Sequence, residues 1–124
     1  MSIRTIGYRK PGALAELDRL LADPKTVVVD IRYRATSRWL PEWRKSSLSS
    51  RYGCRYLHMR GLGNINYKHP ELGIELFAPD GCLYELGYLL RSGWSLVLLC
   101  GCPDYDRCHR KVVFERLKEL EVQA

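Results

Sequence analysis

Long apolar runs are missing from this chain. Its uninterrupted hydrophobic stretches are only a few residues long, so no segment is expected to span a bilayer and no membrane partner is expected. The N-terminal MSIRTIGYRKPG has no apolar block of the kind a signal peptide carries, and the cytoplasm is the expected compartment. Internal repeats, low-complexity tracts and an obvious linker are also lacking, so residues 1–124 are expected to form a single domain. Cysteine is scarce and odd in number, at five, and the spacing in CGC is too tight for an ordinary internal bridge. Reduced thiols follow from both observations.

Acidic residues are nearly absent from one region. Between Arg32 and Arg60 only Glu42 opposes Arg32, Arg34, Arg38, Arg44, Lys45, Arg51, Arg55 and Arg60. The net charge of +6 therefore splits unevenly: residues 1–60 carry 13 Lys/Arg against 5 Asp/Glu, and residues 61–124 carry 7 against 9. Tyr33, Trp39, Trp43, Tyr52 and Tyr56 are interleaved with the basic residues. Arginine and aromatics together can hold phosphates and stack on bases, so the partner is expected to be an anionic small molecule or a nucleic acid. A solvated basic face with the aromatics packed inward accounts for the same composition.

What is present alternates strand and helix signals. IRTIGY reads as a first strand, followed by a helix from Pro11 to about Ala22 with Leu14, Leu17, Leu20 and Leu21 on one face. TVVVDIR is a β-branched run without polar alternation, as in a central parallel strand covered on both sides. A helix over Pro41–Gly53, a short strand in CRYLHMR and a long loop in GLGNINYKHPELG come next. DGCLYELGYLLRSG then reads as a helix with Leu83, Leu86, Leu89 and Leu90 inward and Gly93 past its end. WSLVLLC is a second buried strand, and a last helix runs from about Arg107 to Leu120 with Val113, Leu117 and Leu120 inward. This order implies a small three-layer α/β sandwich, with a mainly parallel sheet and helices on both faces. Ligands in such sheets bind beyond the strand carboxyl ends, which selects the residues after VVVDIR, CRYLHM and WSLVLLC.

The stretch LLCGCPDYDRCHRKVV packs three cysteines, a histidine and two arginines between that last strand and helix. Asp104 and Asp106 are both plausible N-caps, placing Cys108, His109 and Arg110 in or near the first turn. Free backbone N–H groups there favour an anion and lower the pKa of a thiol. On this reading Cys108, or Cys102, is a thiolate, His109 a proton carrier, and Arg107 and Arg110 hold an anion. No cofactor is needed. A second reading makes Cys100, Cys102, Cys108 and His109 a zinc site, though adjacent Cys108 and His109 would point apart on a helix and no second ligand pair lies elsewhere. A third leaves the cysteines as core residues; Cys54 and Cys82 are assigned to the core outright.

Asp30 and Arg32 stand two apart on a strand and share a face. Asp30 can orient an arginine or accept a proton, and Arg32 can hold a phosphate bidentately; an internal ion pair closing the sheet is the alternative. Asn64 and Tyr67 can reach the same end from the glycine loop, where turn chemistry also explains Asn64.

TIGY at Thr5–Tyr8, VVVDIR with Ser37 downstream, GLGNINY, and LLC followed by CHR occur in the order found in the domain-of-unknown-function 488 family, which the chain resembles over about residues 5–110. The resemblance implies an α/β fold and marks Asp30, Arg32, Gly63, Asn64, Cys100, Cys108, His109 and Arg110 as matching positions. It implies no reaction. Tyr8 stands where many members carry histidine. A looser architectural likeness to rhodanese and low-molecular-weight phosphatase folds rests on Cys102-PDYD-Arg107, which lacks the glycines such a loop uses to wrap an anion.

Overall fold

The computed structural model describes residues 2–101 and 105–123. Four strands, β1 (Ile3–Gly7), β2 (Thr26–Asp30), β3 (Tyr56–His58) and β4 (Ser95–Cys100), form one all-parallel sheet in the order β1-β4-β2-β3. Four helices, α1 (Ala13–Leu20), α2 (Lys45–Tyr52), α3 (Pro79–Arg91) and α4 (His109–Gln123), cover it. The small α/β sandwich expected from the sequence is the architecture observed.

Strand pleating decides which helices go where. Val27, Val29 and Ile31 of the β2 segment, with Leu96, Leu98 and Cys100 of β4, pack against Leu83, Leu86 and Leu90 of α3 and Val113 and Leu117 of α4. The alternate residues Val28, Val97 and Leu99 face Leu17 and Leu21 from the α1 segment, Trp43, and Leu48 of α2. Every residue of β2 is buried, as a strand sandwiched between two layers requires. The hydrophobic core is thus two clusters, one on each side of the sheet.

Helix boundaries differ from those expected: α1 is shorter than Pro11–Ala22 by two residues at each end, and two further segments depart from expectation. The Pro41–Gly53 segment is not one helix. A 3₁₀ turn over Pro41–Trp43 ends at an extended Arg44 (φ −77°, ψ 151°), and α2 begins only at Lys45. Trp43 is the reason: the break seats its ring in the core, stacked on Tyr8 with centroids 5.3 Å apart. The last helix begins at His109 rather than Arg107, because Tyr105–Arg107 forms a separate 3₁₀ turn. Asp106 lies in that turn and pairs with Lys111 at 3.7 Å, while Asp104 lies outside the described residues.

Much of the basic segment serves the fold. Arg55 donates to the carbonyls of Leu21, Asp23 and Thr26, at 2.8, 2.8 and 3.2 Å, satisfying acceptors left at and beyond the end of α1. Arg44 donates to the Ser37 and Arg38 carbonyls. Arg51 pairs with Asp18, whose carboxylate also accepts from Tyr52 Oη at 2.7 Å. The hydrogen bond from Arg51 holds the Asp18 pKa below its ordinary value against the opposing effect of burial. A lowered carboxylate pKa contributes stability above the ordinary value and loses it as pH falls through the folded one. Asp18→Asn is therefore expected to lower the denaturant midpoint slightly at pH 7 and to leave it unchanged near pH 2, as chemical unfolding at both pH values would report. Both side chains are two-fifths or more exposed, so the effect is small. No helix among the described residues is long and apolar enough to cross a membrane.

Candidate functional site

The strand order creates the site. The helices following β1 and β2 lie on one face and that following β4 lies on the other, so β4 stands at a switch point between two neighbours whose chains leave in the opposite direction. A crevice opens at such a point, beyond the strand carboxyl ends. Here it is a cavity of about 600 Å³. Its walls come from Tyr8 and Arg9 after β1, the 32–36 segment after β2, the 64–74 loop, Cys100 and Gly101 at the end of β4, and Arg107 and His109 before and at the start of α4.

Asp30 ends β2 fully buried and does not reach the cavity itself. Its carboxylate accepts from Arg32 Nε at 2.8 Å, Arg32 Nη2 at 2.6 Å, the Arg32 backbone N–H at 3.2 Å and Tyr56 Oη at 2.5 Å. Arg32 Nη2 also donates to the Trp43 carbonyl at 2.6 Å, and the guanidinium lies 5.3 Å from the Tyr8 ring centroid. Burial opposes the charge on Arg32, but the hydrogen bond and charge of Asp30 outweigh it and raise its pKa. Burial, followed by the Asp30 charge, pushes the Tyr56 phenol far up, so it stays protonated and donating. The pair thus closes the end of the sheet as an internal ion pair. Arg32 lines the cavity with a guanidinium that the Asp30 carboxylate holds in place.

Cys100, Cys108 and His109 converge from the end of β4 and the start of α4. The two sulfurs are 3.1 Å apart, and His109 Nδ1 lies 3.7 Å from Cys100 Sγ and 3.8 Å from Cys108 Sγ. All three residues are buried, at 2%, 1% and 4% exposure. Sequence reasoning expected Cys108 and His109 to point apart. They do not, because Cys108 precedes the first helical residue instead of lying within the helix. His109 Nε2 meets the Ile31 carbonyl at 2.6 Å. A carbonyl only accepts, so Nε2 carries a proton, and in the neutral form of the ring the Nδ1 lone pair faces the sulfurs. Such a nitrogen can accept a thiol proton or bind a metal. Cys108 Sγ also receives the Arg110 backbone N–H and the Arg110 Nε, both at 3.4 Å.

Only Cys100 and His109 of this trio line the cavity; Cys108 sits in the core between sheet and α3/α4. Of the described cysteines it is therefore Cys100 that reaches the cavity, whereas the sequence reading favoured Cys108. Cys102 lies outside the described residues. Arg107 lines the cavity, whereas Arg110 turns to a second cavity of about 460 Å³ with Arg9, Lys10, Glu16 and Tyr105. Of the cysteines assigned to the core, Cys54 is exposed in the turn after α2, and Cys82 is half-buried with burial pushing its thiol pKa up.

The glycine loop is a folded wall. Asn64 pairs with Leu76 in an antiparallel bridge, and its Oδ1 accepts the backbone N–H groups of Asn66 and Glu75 at 3.0 and 3.1 Å. Turn chemistry thus occupies that oxygen even though the residue lines the cavity. Tyr33 forms the facing wall, held edge-on by Phe77 at 5.4 Å and backed by the Arg60 guanidinium at 4.3 Å. Tyr67 stands 6.3 Å from it, also at the cavity.

Two lining cations escaped the sequence reading, Arg9 and Arg34. Both follow a strand end within four residues, so the rule that selected Arg32 would have found them had it been extended down the loops. Comparison with protein-family models, with curated proteins and with solved structures finds no match for this chain.

Proposed function

We propose that the cavity beyond β1, β2 and β4 binds a phosphate-bearing, nucleotide-like small molecule. The observation that carries this is charge. Arg9, Arg32, Arg34 and Arg107 line the cavity, and no carboxylate does so among the described residues. Guanidinium groups gathered in a concave, partly apolar site attract an oxyanion even though Arg32 is already paired with Asp30 beneath the cavity. The volume suits a ligand of that size. Tyr33 and Tyr67 line the cavity and supply aromatic surface for a planar ring.

The chemistry would belong to the Cys100, Cys108 and His109 group at the cavity floor, acting on the bound anion by phosphoryl transfer, sulfur transfer or hydrolysis. The proposed kinship with the domain-of-unknown-function 488 family rests on the same residues and adds no reaction. A small anion is preferred to a nucleic acid because Arg32, Arg44, Arg51 and Arg55 donate to internal acceptors. Their contribution to a continuous phosphate-tracking surface is correspondingly reduced.

Calorimetric titration with nucleoside monophosphates and inorganic phosphate tests the reading. Arg34→Ala and Arg107→Ala are each expected to weaken nucleotide binding about tenfold, the loss of one charge-assisted contact, while leaving the melting temperature unchanged. Equal affinity in both variants would remove the cavity from consideration.

A further inference from the structure

We propose that Cys100, Cys108 and His109 are the ligands of a thiophilic divalent cation, zinc foremost, held with one coordination position open to the cavity. The three donor atoms lie within 4.8 Å of one another, and the residues bearing them are all buried. Soft thiolate and imidazole donors in this ratio select zinc over magnesium or calcium.

Three further features separate this cluster from two core cysteines beside a histidine. First, the His109 ring is oriented for coordination: its Nε2–H meets the Ile31 carbonyl at 2.6 Å, which leaves Nδ1 as the ring nitrogen facing both sulfurs. An outer N–H donated to a carbonyl is the usual support of a metal-bound imidazole. Second, Cys108 Sγ has two N–H donors from Arg110, and such donors favour the thiolate that a metal needs. Third, the spacing is close to what a tetrahedral ion requires. Metal–sulfur and metal–nitrogen distances of about 2.3 and 2.0 Å put the sulfurs about 3.8 Å apart and each about 3.5 Å from the nitrogen. Here the values are 3.1, 3.7 and 3.8 Å. Small side-chain rotations that part the sulfurs and draw in the ring are sufficient.

Binding would release the two thiol protons to solvent, and the two thiolates would balance the charge of the ion. With three protein ligands among the described residues the ion keeps a fourth position, as catalytic rather than structural zinc sites do. Cys100 and His109 border the cavity, so that position faces it. A water there, or an oxygen of the bound anion, would complete the coordination. Only this last clause rests on the anion reading; the cation site stands on its three ligands.

Cobalt(II) added to the reduced, chelator-treated full chain is the test. One equivalent should give the intense visible absorption of a tetrahedral thiolate site, and zinc should displace it. Cys100→Ser and Cys108→Ser should each lose at least tenfold in cobalt affinity, while Cys54→Ser and Cys82→Ser retain it. Circular dichroism of each serine variant reports whether it folds, and the wild-type spectrum stands independently of them. Absence of the thiolate spectrum from the wild type, or unchanged affinity in folded Cys100→Ser and Cys108→Ser, overturns the proposal. So does a Cys100–Cys108 disulfide that persists under reduction in place of metal uptake. If cobalt binds as expected and nucleotide titration shows nothing, the anion reading alone falls.

Discussion

Asp30→Ala is expected to destabilise the protein by about 3–5 kcal/mol, the cost of leaving a buried charge without its partner. Arg32 is 6% exposed and gives both Nε and Nη2 to the Asp30 carboxylate. Removing that carboxylate also takes the acceptor from Tyr56 Oη. Asp30→Ala combined with Arg32→Met should cost much less than the single change, because the second substitution removes the stranded guanidinium. Urea unfolding of the two singles and the double measures this coupling. If the double loses as much as the sum of the singles, the ion pair is not what closes the sheet. Function follows from the same contacts. Arg32 anchors the Trp43 carbonyl and lies against Tyr8, a cavity wall residue, so a loosened pair disturbs the cavity from below.

Gly63→Ala is expected to cost about 1–3 kcal/mol, the usual price of forcing atoms into a packed site. A Cβ at this glycine would stand 2.4 Å from Tyr33 Cα and 2.5 Å from Tyr33 N, and a backbone cannot yield as a flexible side chain can. The loop must therefore separate from the segment carrying Tyr33. That separation spreads the Tyr33, Tyr67 and Phe77 wall, so nucleotide affinity should fall although no contacting side chain is deleted. Gly81→Ala is the control. It meets nothing within 4 Å and lies in α3, where alanine is the better helix former by about 0.5–1 kcal/mol. Thermal unfolding should move in opposite directions for the two variants; equal shifts would contradict the close approach at Gly63.

The sheet was legible because burial wrote it into the residues. TVVVD and SLVLLC carry no polar alternation, as strands covered on both faces must, and both are central strands of the sheet. Leucine spacing in DGCLYELGYLLRSG likewise located α3 and its inward face. The Pro41–Gly53 segment was misread because nothing local says that Trp43 must turn into the core against Tyr8, a residue 35 positions away. Tertiary packing breaks the helix there, and propensity does not register it.

The site was legible in its position and less so in its parts. The sequence pointed to the carboxyl ends of the strands, and Arg32, Asn64, Tyr67, Arg107 and His109 line a cavity there. The division of labour between Cys100 and Cys108 was hidden, since α4 starts two residues later than the sequence suggested and leaves Cys108 ahead of the helix, in the core. Arg110 was read as an anion ligand from its place in the first turn of the last helix, yet its Nε lies against Cys108 Sγ and its side chain borders the other cavity. The basic run between Arg32 and Arg60 offered a nucleic-acid surface as an alternative, and sequence counts its charges without seeing the carbonyls that some of them meet. Arg55 is spent on three of them.

Backbone amide shift mapping during a nucleoside monophosphate titration tests the central claim most directly. Binding in the cavity predicts that the largest shifts fall on residues 33–36, 64–74, Gly101 and 107–109, and that Arg34→Ala and Arg107→Ala shrink them together. Shifts confined to the exposed basic stretch around Arg38, Trp39 and Lys45, or no saturable shifts at all, would contradict a ligand site at the strand carboxyl ends.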